Sequence, residues 1–292
     1  MMPESQARVA VVTRPASQTA LTAAAARAAH LIVDAEPTIF ADPLAAPLLG
    51  ERADEFLAYH RLHGTHLVLA GARTQVVCRS RYTEDRLAEA VARGTGQYVI
   101  LGAGLDTFAY RSPLAHRVRT FEVDHPSSQA DKRARVTAAG LSGPVSYVDV
   151  DFETDDLLSR LVGKGLDPHR PTLVSWLGVS MYLAAHAVAR TAAVIGRLAP
   201  GTELILDYML PPELRDEAGQ SYVDQVAPVS EQRGEPWRSY FSPDAMADLL
   251  RRAGFATSDH IGQPQMVPAA LWDRTDALHP ARLATIAHAT VS

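Results

Sequence analysis

Cysteine is nearly absent from this chain: Cys78 stands alone among 292 residues. That excludes an internal disulfide framework and a multi-thiolate zinc site, and it suits a reducing compartment, so a cytoplasmic location is expected. Positive charge is also scarce. The 28 Lys and Arg are outnumbered by 33 Asp and Glu, which leaves no basic surplus for a phosphate backbone, and nucleic acid is not an expected partner. No apolar stretch approaches the roughly 18 residues of a membrane span. The opening Met1-Met2-Pro3-Glu4-Ser5-Gln6 has no cationic segment leading into an apolar run, so neither export signal nor membrane span is expected. What is present, 47% hydrophobic and 21% charged residues, is too apolar for disorder and describes a globular chain. Its length permits one extended α/β domain or two modest ones.

The order of patterns divides the chain near residue 95. Thr19 to His30 is alanine-dominated, a composition that favours helix. Asp42-Pro43 can start another, Ala53 to His60 continues the style, and Thr74 to Arg93 is a long pattern stopped by Gly94-Thr95-Gly96. Residues 1–95 are therefore expected to form a helical N-terminal cap. Short β-rich runs follow at Tyr98–Leu101, Arg119–Val123, Val145–Val150, Thr172–Leu177 and Glu203–Tyr208, with helical stretches near Ser127–Ala139, Thr154–Val162 and Ala185–Leu198. Such alternation predicts βαβ units, hence a Rossmann-like α/β core over 96–292, its mostly parallel sheet covered by helices on both faces. Near the end, Ser242-Pro243-Asp244 opens an amphipathic run to Arg252 that Gly254 stops.

The first strand ends in Leu101-Gly102-Ala103-Gly104-Leu105-Asp106. A Gly-x-Gly turn lets a ligand approach the backbone because no Cβ intervenes, although a tight βα turn without a ligand reads the same way. The next strand, Thr120-Phe121-Glu122-Val123-Asp124, ends in an acid about 20 residues on, the distance at which a carboxylate can accept hydrogen bonds from ribose hydroxyls. Dinucleotide sites usually carry a third glycine; here that position is Thr107, and Asp106 would set a negative charge against a diphosphate. A cofactor with a sulfonium and an ammonium would tolerate that charge, which favours S-adenosylmethionine.

Further segments carry a resemblance: Thr19-Ala20 through Arg27-Ala28-Ala29-His30, Phe40-Ala41-Asp42-Pro43-Leu44-Ala45, Arg79-Ser80-Arg81, Phe121-Glu122-Val123-Asp124-His125-Pro126, Val150-Asp151-Phe152 and Ser175-Trp176-Leu177-Gly178-Val179-Ser180-Met181-Tyr182-Leu183. With the glycine turn, they make the chain resemble the leucine carboxyl methyltransferase superfamily, in the bacterial branch that includes polyketide carboxyl O-methyltransferases. The resemblance implies a class I methyltransferase sheet and an S-adenosylmethionine site without metal. Arg79, with Arg81 as the runner-up, would meet the cofactor carboxylate. Gly102, Ala103 and Gly104 would pass its methionine portion, Asp124 would hold the ribose, and Asp151 with the backbone of Phe152 would read the adenine edge. Each of these charged residues could instead be an ion pair or a cap. Many relatives have a glutamate for the cofactor ammonium where this chain has Leu177, and Asp106 is the nearest substitute by sequence.

Other residues invite competing readings. His60, His63 and His66 could share a helix face and a metal, but no Cys or Glu completes a known spacing. Gly178-Val179-Ser180 lacks the second glycine of a serine-nucleophile elbow. Asp155-Asp156 reads as a helix cap. Trp176 and Tyr182, after the fourth strand, could face a sulfonium methyl or simply pack in the core. Tyr182 is the one catalytic candidate. Arg27, His30 and Tyr59 from the cap, and Trp237-Arg238 from a family-like segment, are candidate contacts for a small-molecule acceptor. Three readings follow: an O-methyltransferase acting on a carboxyl or phenolic hydroxyl of a natural-product-like metabolite, a protein C-terminal carboxyl methyltransferase, or a cofactor-binding cyclase or regulator that transfers no methyl group. Oligomeric state is not legible.

Overall fold

A computed structural model describes residues 18–152 and 154–292; the opening segment inspected for an export signal lies outside the described residues. Four helices come first: α1 (Gln18–Val33), α2 (Ala45–Leu49), α3 (Ala53–His63) and α4 (Leu67–Ala92). Helix α2 begins three residues after Asp42 because that side chain accepts the Leu44 N–H at 3.2 Å and caps the turn first. Then come β1 (Gln97–Leu101), α5 (Phe108–Arg111), β2 (Arg119–Asp124), α6 (Pro126–Ala138), β3 (Val145–Asp149), α7 (Leu157–Gly163), β4 (Leu173–Trp176), α8 (Ala185–Ile195) and β5 (Glu203–Met209). Asp156 caps α7 by accepting the Leu158 and Ser159 N–H groups. The chain ends in α9 (Glu217–Gln232), α10 (Pro243–Arg252), β6 (Phe255–Gly262) and β7 (Ala284–Val291).

The seven strands form one sheet in the order β3-β2-β1-β4-β5-β7-β6. Strands β1 to β5 pair in parallel, and β7 runs antiparallel to both β5 and β6. All five residues of β1, four of β4 and seven of β5 are buried, as expected of parallel strands covered on both faces. Four elements were not anticipated from sequence, the short α5 among them. Strands β6 and β7 put part of the C-terminal region into the sheet, while α9 supplies a helix beside the N-terminal ones. The cap does not stand apart from the sheet: Ala26, Phe40 and Val77 share one buried cluster with Tyr98 and Ile100.

One buried network pins the first helices. Arg73 forks onto Asp34 with both contacts at 2.8 Å and reaches the Gly64 carbonyl at 2.8 Å. His30 accepts the Ile39 N–H on Nε2 at 3.1 Å, which leaves Nδ1 to donate to Asp34 Oδ2 at 2.9 Å. His60 lies 3.3 Å from Arg73 and is buried. His66 caps α4 by accepting the Val68 N–H. Among the described residues no group of three or more His, Cys, Asp or Glu could hold a metal ion; His60 meets Arg73 and His66 caps α4, while the His63 ring lies edge-on to Tyr59. Among the described residues no helix is long and apolar enough to cross a membrane.

Candidate active site

The carboxyl ends of β1, β2, β3 and β4 converge on a cavity of about 540 Å³, within the range of small-molecule sites. At its centre the glycine turn folds back onto β2: the Gly102 and Ala103 N–H groups both donate to the Val123 carbonyl, at 2.8 and 3.1 Å. Gly102 has φ +66° and a Cβ there would meet Val179 Cγ2 at 2.3 Å, so conformation and packing both require glycine. Asp124, ending β2, accepts the Gly104 N–H on Oδ2 and the His125 N–H on Oδ1, each at 2.7 Å. Burial raises the Asp124 carboxyl, and these two N–H groups pull it back toward ionisation. Each carboxylate oxygen keeps a second lone pair that can accept a ligand hydroxyl.

Beyond β3, Asp151 and Phe152 line the same cavity. Phe152 stacks near Trp176, ring centroids 6.5 Å apart at 25°. Trp176 itself is fully buried in the core cluster under the sheet, which assigns it to packing. After β4, Leu177 lines the cavity and Gly178 turns with φ +71°. Ser180 is spent on the Asp207 carbonyl at 2.6 Å and is buried, which removes it as a nucleophile. Asp106 lines the cavity too, while its Oδ1 accepts the Phe108 N–H at 2.8 Å.

The helices close the cavity from the other side. Arg79 of α4 donates to Asp207 Oδ2 at 2.7 Å, and Asp207, only 2% exposed, also accepts the Gly178 N–H at 2.6 Å. Arg27 of α1 donates to Asp42 at 2.8 Å and to the Leu105 carbonyl at 2.7 Å. Burial works against ionised Asp42, yet Arg27 and then Arg111 hold its carboxyl below the usual range. Arg27 and Arg79 each come with a carboxylate partner, the third cavity arginine, Arg238, is exposed, and Asp106, Asp124, Asp151 and Glu235 also line the wall. That donor set fits a cofactor carrying sulfonium and ammonium charges and does not fit a diphosphate.

A second cavity of about 140 Å³ adjoins the first. It is enclosed by α1, α4, α9 and the turn after β4, through residues such as Ala26, Val76, Met181, Tyr222, Val226 and Trp237. Its walls are mostly apolar. Tyr182 lines both cavities, and burial pushes its phenol above the usual tyrosine range.

Several expected contacts are relocated by these positions. Arg79, Gly102, Ala103, Gly104, Asp124, Asp151, Phe152 and Leu177 line the larger cavity together. Arg27 also lies there, on the glycine-turn side, and is absent from the smaller cavity where an acceptor contact was expected. His30 lines neither cavity, because Asp34 and Ile39 hold it inside the helical layer. Tyr59 is 58% exposed and lines neither cavity. Arg81 pairs with Asp85 at 2.8 Å, outside both cavities. Trp237 lines the smaller cavity and the exposed Arg238 the larger. Sequence reasoning missed Asp207 and Glu235. An acid inside the apolar run Leu204-Ile205-Leu206-Asp207-Tyr208 was the available signal for the first, and the second sits two residues before Trp237.

Comparison with known proteins agrees with this geometry. The family model described as leucine carboxyl methyltransferase matches residues 20–196. YktD of Bacillus subtilis, named as an inferred S-adenosyl-L-methionine-dependent methyltransferase, is 30% identical over 206 residues, covering 69% of this chain and 67% of its own. A Mycolicibacterium smegmatis protein of the same description is 31% identical over 284 residues, covering 89% and 84%. In fold alone, the crystal structure of an inferred methyltransferase from Thermobifida fusca superposes with a TM-score of 0.59 at 17% identity, covering 84% of this chain and 92% of that one. With the strand-end constellation in place and relatives matched along most of its length, the chain belongs to the leucine carboxyl methyltransferase family of S-adenosylmethionine-dependent methyltransferases.

Proposed function

We propose that this protein is an O-methyltransferase that methylates a carboxyl or phenolic hydroxyl group of a small, natural-product-like metabolite in the cytoplasm. The observation that carries the reading is the second, mostly apolar cavity joined to the cofactor cavity. Its size suits one ring. A chamber of about 140 Å³ leaves little room for the several residues of a polypeptide terminus, which weighs against a protein acceptor. A chamber opening on the cofactor site likewise favours methyl transfer over a purely regulatory role.

In this reading residues 1–95 are the cap over both ligands. Arg79 meets the cofactor carboxylate with the guanidinium N–H groups that Asp207 does not use. The turn at Gly102, Ala103 and Gly104 admits the methionine portion, Asp124 accepts the ribose hydroxyls, and Asp151 and Phe152 take the adenine edge. Leu177 leaves Asp106 as the carboxylate for the ammonium. The bound cofactor supplies an activated methyl group on a sulfonium. The protein's part is to hold the acceptor oxygen in line with that group and to exclude water. Tyr182, kept protonated by burial, orients the acceptor as a hydroxyl donor.

Calorimetric titration with S-adenosylhomocysteine tests this. Wild type is expected to bind, and Asp124→Ala to bind about 30-fold more weakly or worse, since hydrogen bonds to a charged group contribute roughly 1.5–3 kcal/mol each. Absence of binding by wild type would overturn the reading.

A further inference from the structure

The two cavities share six residues: Thr19, Ala23, Arg79, Gly178, Tyr182 and Glu235. A methyl group passing from one cavity to the other crosses the junction they form, so the acceptor oxygen sits there and the rest of its ring lies in the smaller cavity. Recognition of that remainder falls to polar groups deeper in. Three are engaged or stand outside: the Thr22 hydroxyl donates to the Gln18 carbonyl at 2.8 Å, Ser230 Oγ donates to the Glu235 carbonyl at 2.5 Å, and Arg233 is exposed at the rim. Two more belong to the junction end. Burial raises the Tyr182 phenol while Thr19 and Trp237 pull it back, and burial, then Tyr182, raises that of Tyr222, so Trp237 and Tyr222 both stand beside Tyr182.

Gln75 is left. It lines the smaller cavity and not the larger, and it is only 9% exposed. Among the described residues its carboxamide has no hydrogen-bond partner, and Ala72 and Val76 of the same helix and Ala26 of α1, which line the same cavity, offer none. A carboxamide carries two donor hydrogens and an acceptor oxygen, and leaving them unpaired inside a protein costs stability. Arg79, at the junction, stands four residues further along α4, hence on the same helix face and about 6 Å along the axis. A six-membered ring with substituents at opposite ends spans about that one helical turn.

Resting on the methyltransferase reading above, we infer that Gln75 determines specificity by hydrogen-bonding a second, uncharged polar substituent of the acceptor, a hydroxyl, carbonyl or amide at the end of the ring away from the methylated oxygen. The acceptor class is a single ring that is polar at both ends. The carboxamide serves a donor or an acceptor equally. A charged substituent would lose its water against an uncharged amide in an apolar wall.

The test uses the full chain saturated with S-adenosylhomocysteine and two rings of one shape, hydroquinone and 4-methylphenol, which differ by a hydroxyl against a methyl. Both are uncharged at pH 7, where they are titrated anaerobically with ligand-observed NMR. Hydroquinone is expected to bind at least about fivefold more tightly, the size of one neutral hydrogen bond and more than the twofold that its two equivalent ends supply. Gln75→Met keeps the length and the helix propensity of the side chain and removes the carboxamide. It is expected to bring the two rings to within about twofold of each other, while S-adenosylhomocysteine binding in the larger cavity, which Gln75 does not line, is retained and shows the variant folded. Equal binding of the two rings by wild type, an unchanged ratio in Gln75→Met, or binding of neither ring would overturn the inference. In each case retained S-adenosylhomocysteine binding leaves the methyltransferase reading standing, whereas loss of that binding in wild type would strike the reading itself.

Discussion

The larger and smaller cavities lie wall to wall, yet they are built in opposite ways. The larger is made of strand ends whose relative positions are set by sheet register: Leu101 pairs with Val123 and Trp176, and Asp124 with Asp149. Its contacts are largely backbone N–H groups and the short side chains next to them. The smaller is made where helices meet, and its defining contact, Thr19 to Glu235, spans 216 residues of chain. Hydrogen-bonded register resists sliding, while helix contacts are fixed only by side-chain packing. The strand-end side, the proposed cofactor half, is thus the rigid one, and differences in acceptor choice are expected to come from α1, α4 and α9.

The largest effect that would break this division comes from Asp207, which joins the two halves by holding both Arg79 and the Gly178 N–H. Asp207→Ala strands a buried cation and is expected to lower stability by about 3–5 kcal/mol in urea unfolding. It should weaken S-adenosylhomocysteine and acceptor probes together; loss confined to one ligand would show that the halves are independent.

A smaller effect concerns the helical side alone. Burial, and then the neighbouring Arg73 guanidinium, depress the His60 imidazole to about 4. An unfolded chain takes up the proton near pH 6.5, so between 6.5 and 4 the unfolded state binds more protons. Stability is complete above about pH 6.5 and falls as the pH drops toward 4. Between pH 7.5 and pH 5 the loss assignable to His60 is about 1–2 kcal/mol. Comparing the thermal midpoints of wild type and His60→Leu at the two pH values checks it, since the variant should lose this part of the slope.

The smallest effect sharpens the strand side. Leu177→Glu restores the carboxylate that many relatives place there, and a partly exposed charge pair of up to about 1 kcal/mol should tighten S-adenosylhomocysteine by roughly threefold to fivefold. Phenol binding should not change. An unaltered cofactor affinity would place the ammonium away from Leu177.

Strands β1 to β5 were legible almost to the residue because short β-rich runs alternate with helical stretches, the buried β1, β4 and β5 being the most apolar of them. The C-terminal region was not. Strand β7, Ala-Thr-Ile-Ala-His-Ala-Thr-Val, is rich in alanine, which is depleted in strands, and the outer β6 exposes Ala256, Thr257 and Asp259. Helix α9 contains Gly219 and an interior Pro228, which argue locally against helix. His30 and Arg27 were candidate acceptor contacts because they belong to the helical segment expected to cap the acceptor. Their partners, Ile39 N–H for one and the Leu105 carbonyl for the other, cannot be read from spacing.

The sequence by itself determined the parallel core and the residues that line the strand-end cavity, because glycine turns and acidic strand ends are contiguous in the chain and their chemistry is local. Only the tertiary structure decided the other half: which arginines are already paired, that Asp207 stands behind Arg79, and that Glu235 meets Thr19 and Tyr182 at the junction. Those meetings depend on helices brought together from the two ends of the chain, and burial and charge pairing at such meetings arise only when the packing is complete.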